Sequence, residues 1–186
     1  MTPLDVALTL GACLDRARIP YAIGGALALS YWAVPRATAD VDLNLFLPED
    51  QLPALCAALK RIGLALDADE ARQASEASGL IVTHWHGIRV DLFTPSIEFA
   101  WEAFRTRVRV TVAGEAVWLL SAEALAVFKL MFFRTKDIAD LQRLLGIRGE
   151  RLDAAYVHAR IAEIMGETDE RTLRWDALVA AARSPL

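Results

Sequence analysis

Apolar and polar positions alternate along this chain with two different periods, and the switches between them mark out its elements. Residues 3–18 carry Val6, Leu10 and Leu14 on one stripe, with Asp5, Asp15 and Arg16 opposite, which predicts a packing helix. A short strand, Tyr21 to Ile23, leads into the pair Gly24-Gly25, which opens an apolar helix. A loop with Pro35, Arg36 and Thr38 follows, and then period two takes over from Asp40 to Phe46. Side chains alternate across a strand, so Asp40, Asp42 and Asn44 share one face while Val41, Leu43 and Leu45 line the other.

Beyond this stretch, Pro48 to Gly63 reads as a helix, with Pro53 tolerable in its first turn and Gly63 at its end. Residues 67–79 are polar and small without clear periodicity, which predicts a mobile loop or a frayed helix. Leu80 to Phe93 reads as a hairpin turning at His86-Gly87, and its second arm presents Asp91 away from an apolar face. A helical run from Ile97 to Phe104 precedes a second hairpin, Arg105 to Val112 and Ala116 to Leu120, about Ala113-Gly114-Glu115. Ser121 is placed to cap the apolar helix Ala122 to Phe133, with Glu123 in its first turn. From Thr135 the pattern stays helical, with breaks at Gly146 to Gly149 and Gly166 to Thr168, giving three further helices. The expected fold is α/β (α+β): a mixed sheet of about five strands flanked by helices, with a C-terminal helical part.

With 186 residues and 55% hydrophobic content, the chain is long enough for one substantial core, or one domain with a helical extension. It has no run of about 18 uninterrupted apolar residues and no basic segment leading a cleavable apolar one, so the expectation is a soluble cytoplasmic protein with no membrane partner. Cys13 and Cys56 fall in separate helical patterns and read as small core residues in a reducing compartment. The net charge of −4 argues against a generic nucleic-acid binder, although local basic patches can still matter. No internal repeat, zinc-type cysteine spacing, phosphate-binding Walker motif or serine nucleophile elbow is present.

The chemistry concentrates between Tyr21 and Leu47. Carboxylates two apart on a strand, roughly 7 Å between Cα atoms, can converge on two divalent ions about 4 Å apart, the spacing used for in-line phosphoryl displacement. A glycine pair lets a backbone approach closely, and the helix start beyond it offers free N–H groups to phosphate oxygens. Asp-Val-Asp-Leu-Asn is equally what a half-buried surface strand looks like. That plainer reading leaves unexplained why a second strand turns Asp91 the same way, giving three acidic residues a meeting point.

The pattern Gly24-Gly25, Arg36-x-Thr38-x-Asp40-x-Asp42-Leu43 and, downstream, Val90-Asp91-Leu92-Phe93 resembles the DNA polymerase beta-like nucleotidyltransferases. Within them it is most similar to the branch holding the AbiEii-type abortive-infection toxins and the aminoglycoside and lincosamide nucleotidyltransferases. The run Lys129-Leu-Met-Phe-Phe-Arg134-Thr-Lys136-Asp137-Ile-Ala-Asp140 resembles the basic helix and Lys-Asp-x-x-Asp segment of the same branch, so the likeness spans about residues 20 to 145. Many of these enzymes carry Gly-Ser where this chain has Gly24-Gly25, so a serine contact to phosphate is absent. The toxin and antibiotic branch often has Gly-Gly too.

The resemblance implies a catalytic core over residues 1–120 and a helical part over residues 121–186 that closes one wall of the cleft. It implies that Asp40, Asp42 and Asp91 are the catalytic metal ligands for two Mg²⁺ ions, with Asp91 beside the incoming hydroxyl as ligand or general base. An NTP would be the co-substrate, contacted by Gly24, Gly25, Arg36, Thr38, Lys129, Arg134 and Lys136, and pyrophosphate would leave. The implied acceptor is RNA such as tRNA, with a cognate antitoxin protein as partner. A small-molecule antibiotic acceptor, with acidic residues between Asp67 and Glu76 lining its pocket, and a degenerate binding scaffold are the alternatives.

Three further features carry paired readings. Lys129, within an apolar run, is either a lysine extending from the helix edge or a cation against the triphosphate. Asp137 and Asp140 share a helix face beside Lys136, an arrangement also ordinary for a first turn. Arg105, Arg107 and Arg109 alternate along one strand and so put three guanidinium groups on a single face, either a solvated strand face or edge or a guide for a polyanion such as RNA. His84 and His86 lie two apart, but no third metal ligand accompanies them.

Overall fold

The computed structural model describes residues 1–183. Among them the chain divides into two compact units, Met1–Leu27 with Ala37–Leu120, and Ala28–Arg36 with the chain from Ser121 onward.

The first unit is a six-stranded mixed sheet covered by helices. Its strands are β1 (Tyr21–Ile23), β2 (Asp40–Leu45), β3 (Leu80–Trp85), β4 (Ile88–Phe93), β5 (Val108–Val112) and β6 (Glu115–Leu119), ordered β3-β4-β2-β1-β6-β5. Pairing is parallel for β2 with β4 and β1 with β6, and antiparallel elsewhere. The two tight hairpins turn through left-handed residues, His86 and Gly87 in one, Ala113 and Gly114 in the other, which suits the twist of the flanking strands.

One face of the sheet is the core. Val41, Leu43 and Leu45 of β2, Val90 and Leu92 of β4, and Ile23 of β1 pack with Val6, Leu10 and Leu14 of α1 (Pro3–Ala17) and Leu52, Leu55 and Leu59 of a helix over Leu52–Lys60. Each such side chain contributes about 1.5–3 kcal/mol on burial. The two cysteines are free and buried, and the Cys13 thiol donates to the Ala58 carbonyl at 3.3 Å. Numbering in chain order, α2 is Gly25–Trp32 and α3 is Leu52–Lys60.

Two expectations are corrected here. The polar stretch 67–79 is an ordered helix, α4 (Ala68–Ser78): the Asp67 carboxylate accepts from the Asp69 and Glu70 N–H groups, and Gly79 ends it in the left-handed conformation. The three arginines do not share a strand, because α5 (Glu98–Thr106) runs past Arg105 and β5 begins only at Val108. Arg107 lies over the Phe104 and Trp118 rings at 3.9 and 4.3 Å and donates to the Phe104 carbonyl, while Arg109 pairs with Asp15 at 3.0 Å. Burial pushes the Arg107 pKa down from its ordinary value.

The second unit contains α6 (Ala122–Phe132), α7 (Thr135–Arg148), α8 (Ala154–Met165) and α9 (Glu170–Arg183). The Ser121 hydroxyl accepts from the Ala124 N–H, capping α6 as its sequence predicts, and Phe133 ends that helix at φ 54. Leu125, Leu130, Leu141, Leu144, Val157 and Trp175 are buried, and the Trp175 indole donates to the Ala154 carbonyl at 3.0 Å.

Candidate active site

The solvent side of the sheet is organised by the parallel register of β2 and β4, which pairs Asp40 with Arg89, Asp42 with Asp91 and Asn44 with Phe93. Alternation puts Asp40, Asp42, Asn44, Arg89 and Asp91 on the face opposite the core, with Asp42 and Asp91 as direct cross-strand neighbours. Like charges placed opposite one another destabilise a sheet. Here Arg89 offsets part of that cost: its Nε donates to Asp91 Oδ1 at 2.7 Å and its Nη2 to Asp91 Oδ2 at 3.2 Å. The hydrogen bond and charge of Asp91, with the charges of Asp40 and Asp42 behind it, hold the Arg89 pKa above its ordinary value. Asp40 is oriented by its own loop, accepting from the Thr38 hydroxyl at 2.9 Å and the Ala39 N–H at 3.2 Å.

The glycine pair closes this face from the β1 side. The Gly24 N–H donates to the Asp42 carbonyl at 2.9 Å, and Gly25 takes φ 54 as the first residue of α2. A Cβ on Gly25 would lie 1.7 Å from Asp42 Oδ2, and one on Gly24 would lie 2.6 Å from Asn44 Nδ2. The near approach that these glycines permit is therefore that of the β2 side chains, the Asp42 carboxylate above all, to the start of α2, where negative charge is favoured.

Three carboxylates on one face are hard oxygen donors of the kind that suits Mg²⁺, and their joint field already holds one cation, the Arg89 guanidinium. As the side chains stand, no three His, Cys, Asp or Glu among the described residues form a group placed to hold a metal ion. The donor set fits a divalent cation in chemistry, with Arg89 seated on one of its members. His84 and His86 join no such group, and His86 is a turn residue at φ 51.

The second unit holds a different cluster, built around two buried carboxylates. Lys129, only 4% exposed, donates to Asp140 at 2.7 Å and to Asp137 at 3.4 Å. Asp140 also receives the Arg36 fork, at 3.0 to 3.2 Å, and Arg143 at 2.9 Å. Asp137 receives Arg134 through its guanidinium at 2.7 Å and its backbone N–H at 3.2 Å. Burial pushes the Asp140 carboxyl up, but the hydrogen bonds from Arg36 and Lys129 and their charges outweigh it, leaving its pKa below the ordinary value. Lys129 thus neutralises two internal acids rather than extending from a helix edge, and Asp137 and Asp140, 1% and 0% exposed, are not an ordinary first-turn pair. Lys136 is exposed. Arg36, Lys129 and Arg134 therefore meet on Asp137 and Asp140, while Asp40, Asp42, Asp91, Thr38, Gly24 and Gly25 meet on the sheet.

Sequence reasoning missed Arg89 and Arg143. Arg143 stands three residues after Asp140, a spacing that places them on one helix face, and Arg89 stands two before Asp91 on its strand, so both had a periodic signal. A cavity of about 300 Å³, lined in part by Glu49, Glu76, Thr94 and Trp101, lies against the C-terminal part of α4. It lies past the C-terminal end of β4, roughly 10 Å along the strand from Asp91 to Thr94, and is separate from the carboxylate face.

No family model and no curated protein matches the chain. Solved structures do. The antibiotic-resistance factor ANT(2'')-Ia superposes with a TM-score of 0.61 at 19% identity, covering 97% of this chain and 98% of its own. An antigenic nucleotidyltransferase-like protein from Paracoccidioides brasiliensis gives 0.54 at 17% identity, covering 96% and 87%. A candidate nucleotidyltransferase of Thermotoga maritima gives 0.50 at 15%, covering 76% and 91%. The chain has the nucleotidyltransferase fold. No helix among the described residues is long and apolar enough to cross a membrane.

Proposed function

We propose that the chain is a metal-dependent nucleotidyltransferase, moving a nucleoside monophosphate from an NTP to a hydroxyl acceptor with release of pyrophosphate. The observation that carries this reading is the cross-strand pair Asp42 and Asp91, with Asp40 two residues along the same face and Gly25 against the Asp42 carboxylate. Mg²⁺ held by Asp40, Asp42 and Asp91 would supply charge neutralisation at the triphosphate and activation of the acceptor hydroxyl. Asp42 lies against the α2 start, where a Cβ at Gly25 would not fit, while Asp40 accepts from Thr38 and Asp91 from Arg89. The start of a helix such as α2 favours negative charge and suits phosphate oxygens. Arg36, Lys129, Arg134 and Lys136 remain the proposed sources of further positive charge for the triphosphate, with Lys129 acting through the Asp137–Asp140 network.

For the acceptor we infer a small molecule. End-to-end likeness to an antibiotic-resistance factor supports it, as does the loss of the arginine stripe, the feature that pointed to a polyanion. The AbiEii-type toxin reading, with RNA as acceptor and an antitoxin as partner, is the competing outcome. The test is incubation with each labelled NTP, Mg²⁺ and a cell extract. Label in the small-molecule fraction supports the reading; label in RNA transfers it to the toxin class. No incorporation anywhere, with no thermal stabilisation by NTP and Mg²⁺, points to a binding scaffold. Saturating ligand at about 100 times its Kd would stabilise a binder by about 2.7 kcal/mol.

A further inference from the structure

We propose that Arg89 is a built-in counter-cation which competes with divalent metal for Asp91, so that metal loading requires its guanidinium to leave that carboxylate. The inference rests on the metal-dependent reading above and adds to it a residue that sets cation affinity. Asp91 and Arg89 are two apart on β4 and share a face, and Arg89 is also the cross-strand partner of Asp40. Its fork engages both oxygens of Asp91, at 2.7 and 3.2 Å, while the Asp91 side chain is only 11% exposed. A divalent ion approaching those oxygens meets a resident positive charge already in place.

The two partners differ in their freedom to move. The Asp91 side chain is nearly buried, whereas the Arg89 side chain is 49% exposed and stands two residues after the His86-Gly87 turn. Of the two, the half-exposed guanidinium is the one that can swing into water, where hydration replaces part of what the fork loses. Arginine is the side chain suited to this role, since its planar fork covers two carboxylate oxygens at once where a lysine ammonium is a point charge. In the metal-free protein the fork relieves the Asp42–Asp91 repulsion that a metal ion would otherwise relieve.

The test counts free Mn²⁺ by its EPR signal during titration of the full chain without nucleotide. Wild type, Arg89→Gln, Arg89→Lys, Asp42→Asn and Arg109→Gln are compared, with thermal melting to confirm folding. Removing a charge-assisted fork of this kind is expected to tighten Mn²⁺ binding about tenfold in Arg89→Gln, with Arg89→Lys in between. Arg109→Gln removes the same charge from the pair with Asp15 and should leave affinity within about twofold, since remote exposed charges are screened. If wild type binds Mn²⁺ in a manner lost in Asp42→Asn, yet Arg89→Gln binds no tighter, the counter-cation role is overturned and the metal site stands. An equal gain in Arg109→Gln also overturns it, assigning the effect to net charge. If neither wild type nor Arg89→Gln binds Mn²⁺, the metal-dependent reading fails and this inference fails with it.

Discussion

Gly25 and Asp42 occupy space that admits no side chain between them: a Cβ at Gly25 would lie 1.7 Å from the Asp42 carboxylate oxygen. Gly25 also has φ 54, a conformation that costs a non-glycine residue about 1 kcal/mol or more. Gly25→Ala should therefore displace Asp42 or the start of α2, lowering stability by about 2 kcal/mol or more and abolishing nucleotide transfer. Gly63→Ala is the control, since Gly63 has φ 83 but nothing within 4 Å of its would-be Cβ. It should show only the backbone cost and keep activity. Urea unfolding and a labelled-NTP transfer assay measure both, and equal behaviour of the two variants would refute a steric role for Gly25.

Asp42→Asn and Asp40→Asn each remove a negative charge from a solvent-side strand face without emptying core volume, so both should fold with stability within about 1 kcal/mol of wild type. Asp42→Asn could even gain slightly, since it ends the like-charge opposition with Asp91. Both should lose transfer activity by two orders of magnitude or more. Full activity with Mg²⁺ in either variant would remove that carboxylate from the site.

How far these arrangements could be read from the sequence depends on the kind of interaction. The alternation in Asp-Val-Asp-Leu-Asn admits one orientation once Val41, Leu43 and Leu45 must face the core, so the carboxylate face was legible. The parallel register that sets Asp42 against Asp91 was not, because it links strands 49 residues apart in the chain through tertiary packing. Helix α4 was underestimated because it buries only Ala71, although its cap signals Asp67 and Gly79 stood in the sequence. The arginine stripe failed for a related reason. Arg-x-Arg-x-Arg reads as period two, but the buried stripe of Phe99, Ala100 and Ala103 carries helix α5 to Thr106. Lys129 was singled out by its apolar surroundings, yet its anions lie on the next helix, beyond the left-handed turn at Phe133.

Lys129→Met separates two roles for that lysine. If it neutralises Asp137 and Asp140, its loss leaves buried carboxylates short of a cation and should cost about 3 kcal/mol, softened by Arg36, Arg134 and Arg143, which remain. Chemical denaturation would register the loss directly. A variant with unchanged stability and greatly reduced activity would instead mark Lys129 as a direct contact to the nucleotide.

The last prediction concerns acid stability. The Asp140 carboxyl has a folded-state pKa below its ordinary value: burial opposes ionisation, but the hydrogen bonds and charges of Arg36 and Lys129 outweigh it. A carboxyl with a depressed folded pKa binds fewer protons when folded than when unfolded. Its contribution to stability is then fully present above the ordinary carboxylate value and is lost as pH falls below that value and through the folded pKa. Asp140→Asn should accordingly be less stable than wild type at neutral pH, with Lys129, Arg36 and Arg143 deprived of their shared anion. The difference should shrink as pH falls, since protonated Asp140 resembles the asparagine. Asp5 and Asp169 also have lowered pKa values, from hydrogen bonds at Thr2 and Arg171, but they are present in both proteins and cancel in the comparison. Urea midpoints measured from pH 7 down into the acid range should converge for the two proteins. A gap that stays constant, or widens, would mean that Asp140 is not ionised in the folded protein or that its charge does not stabilise it.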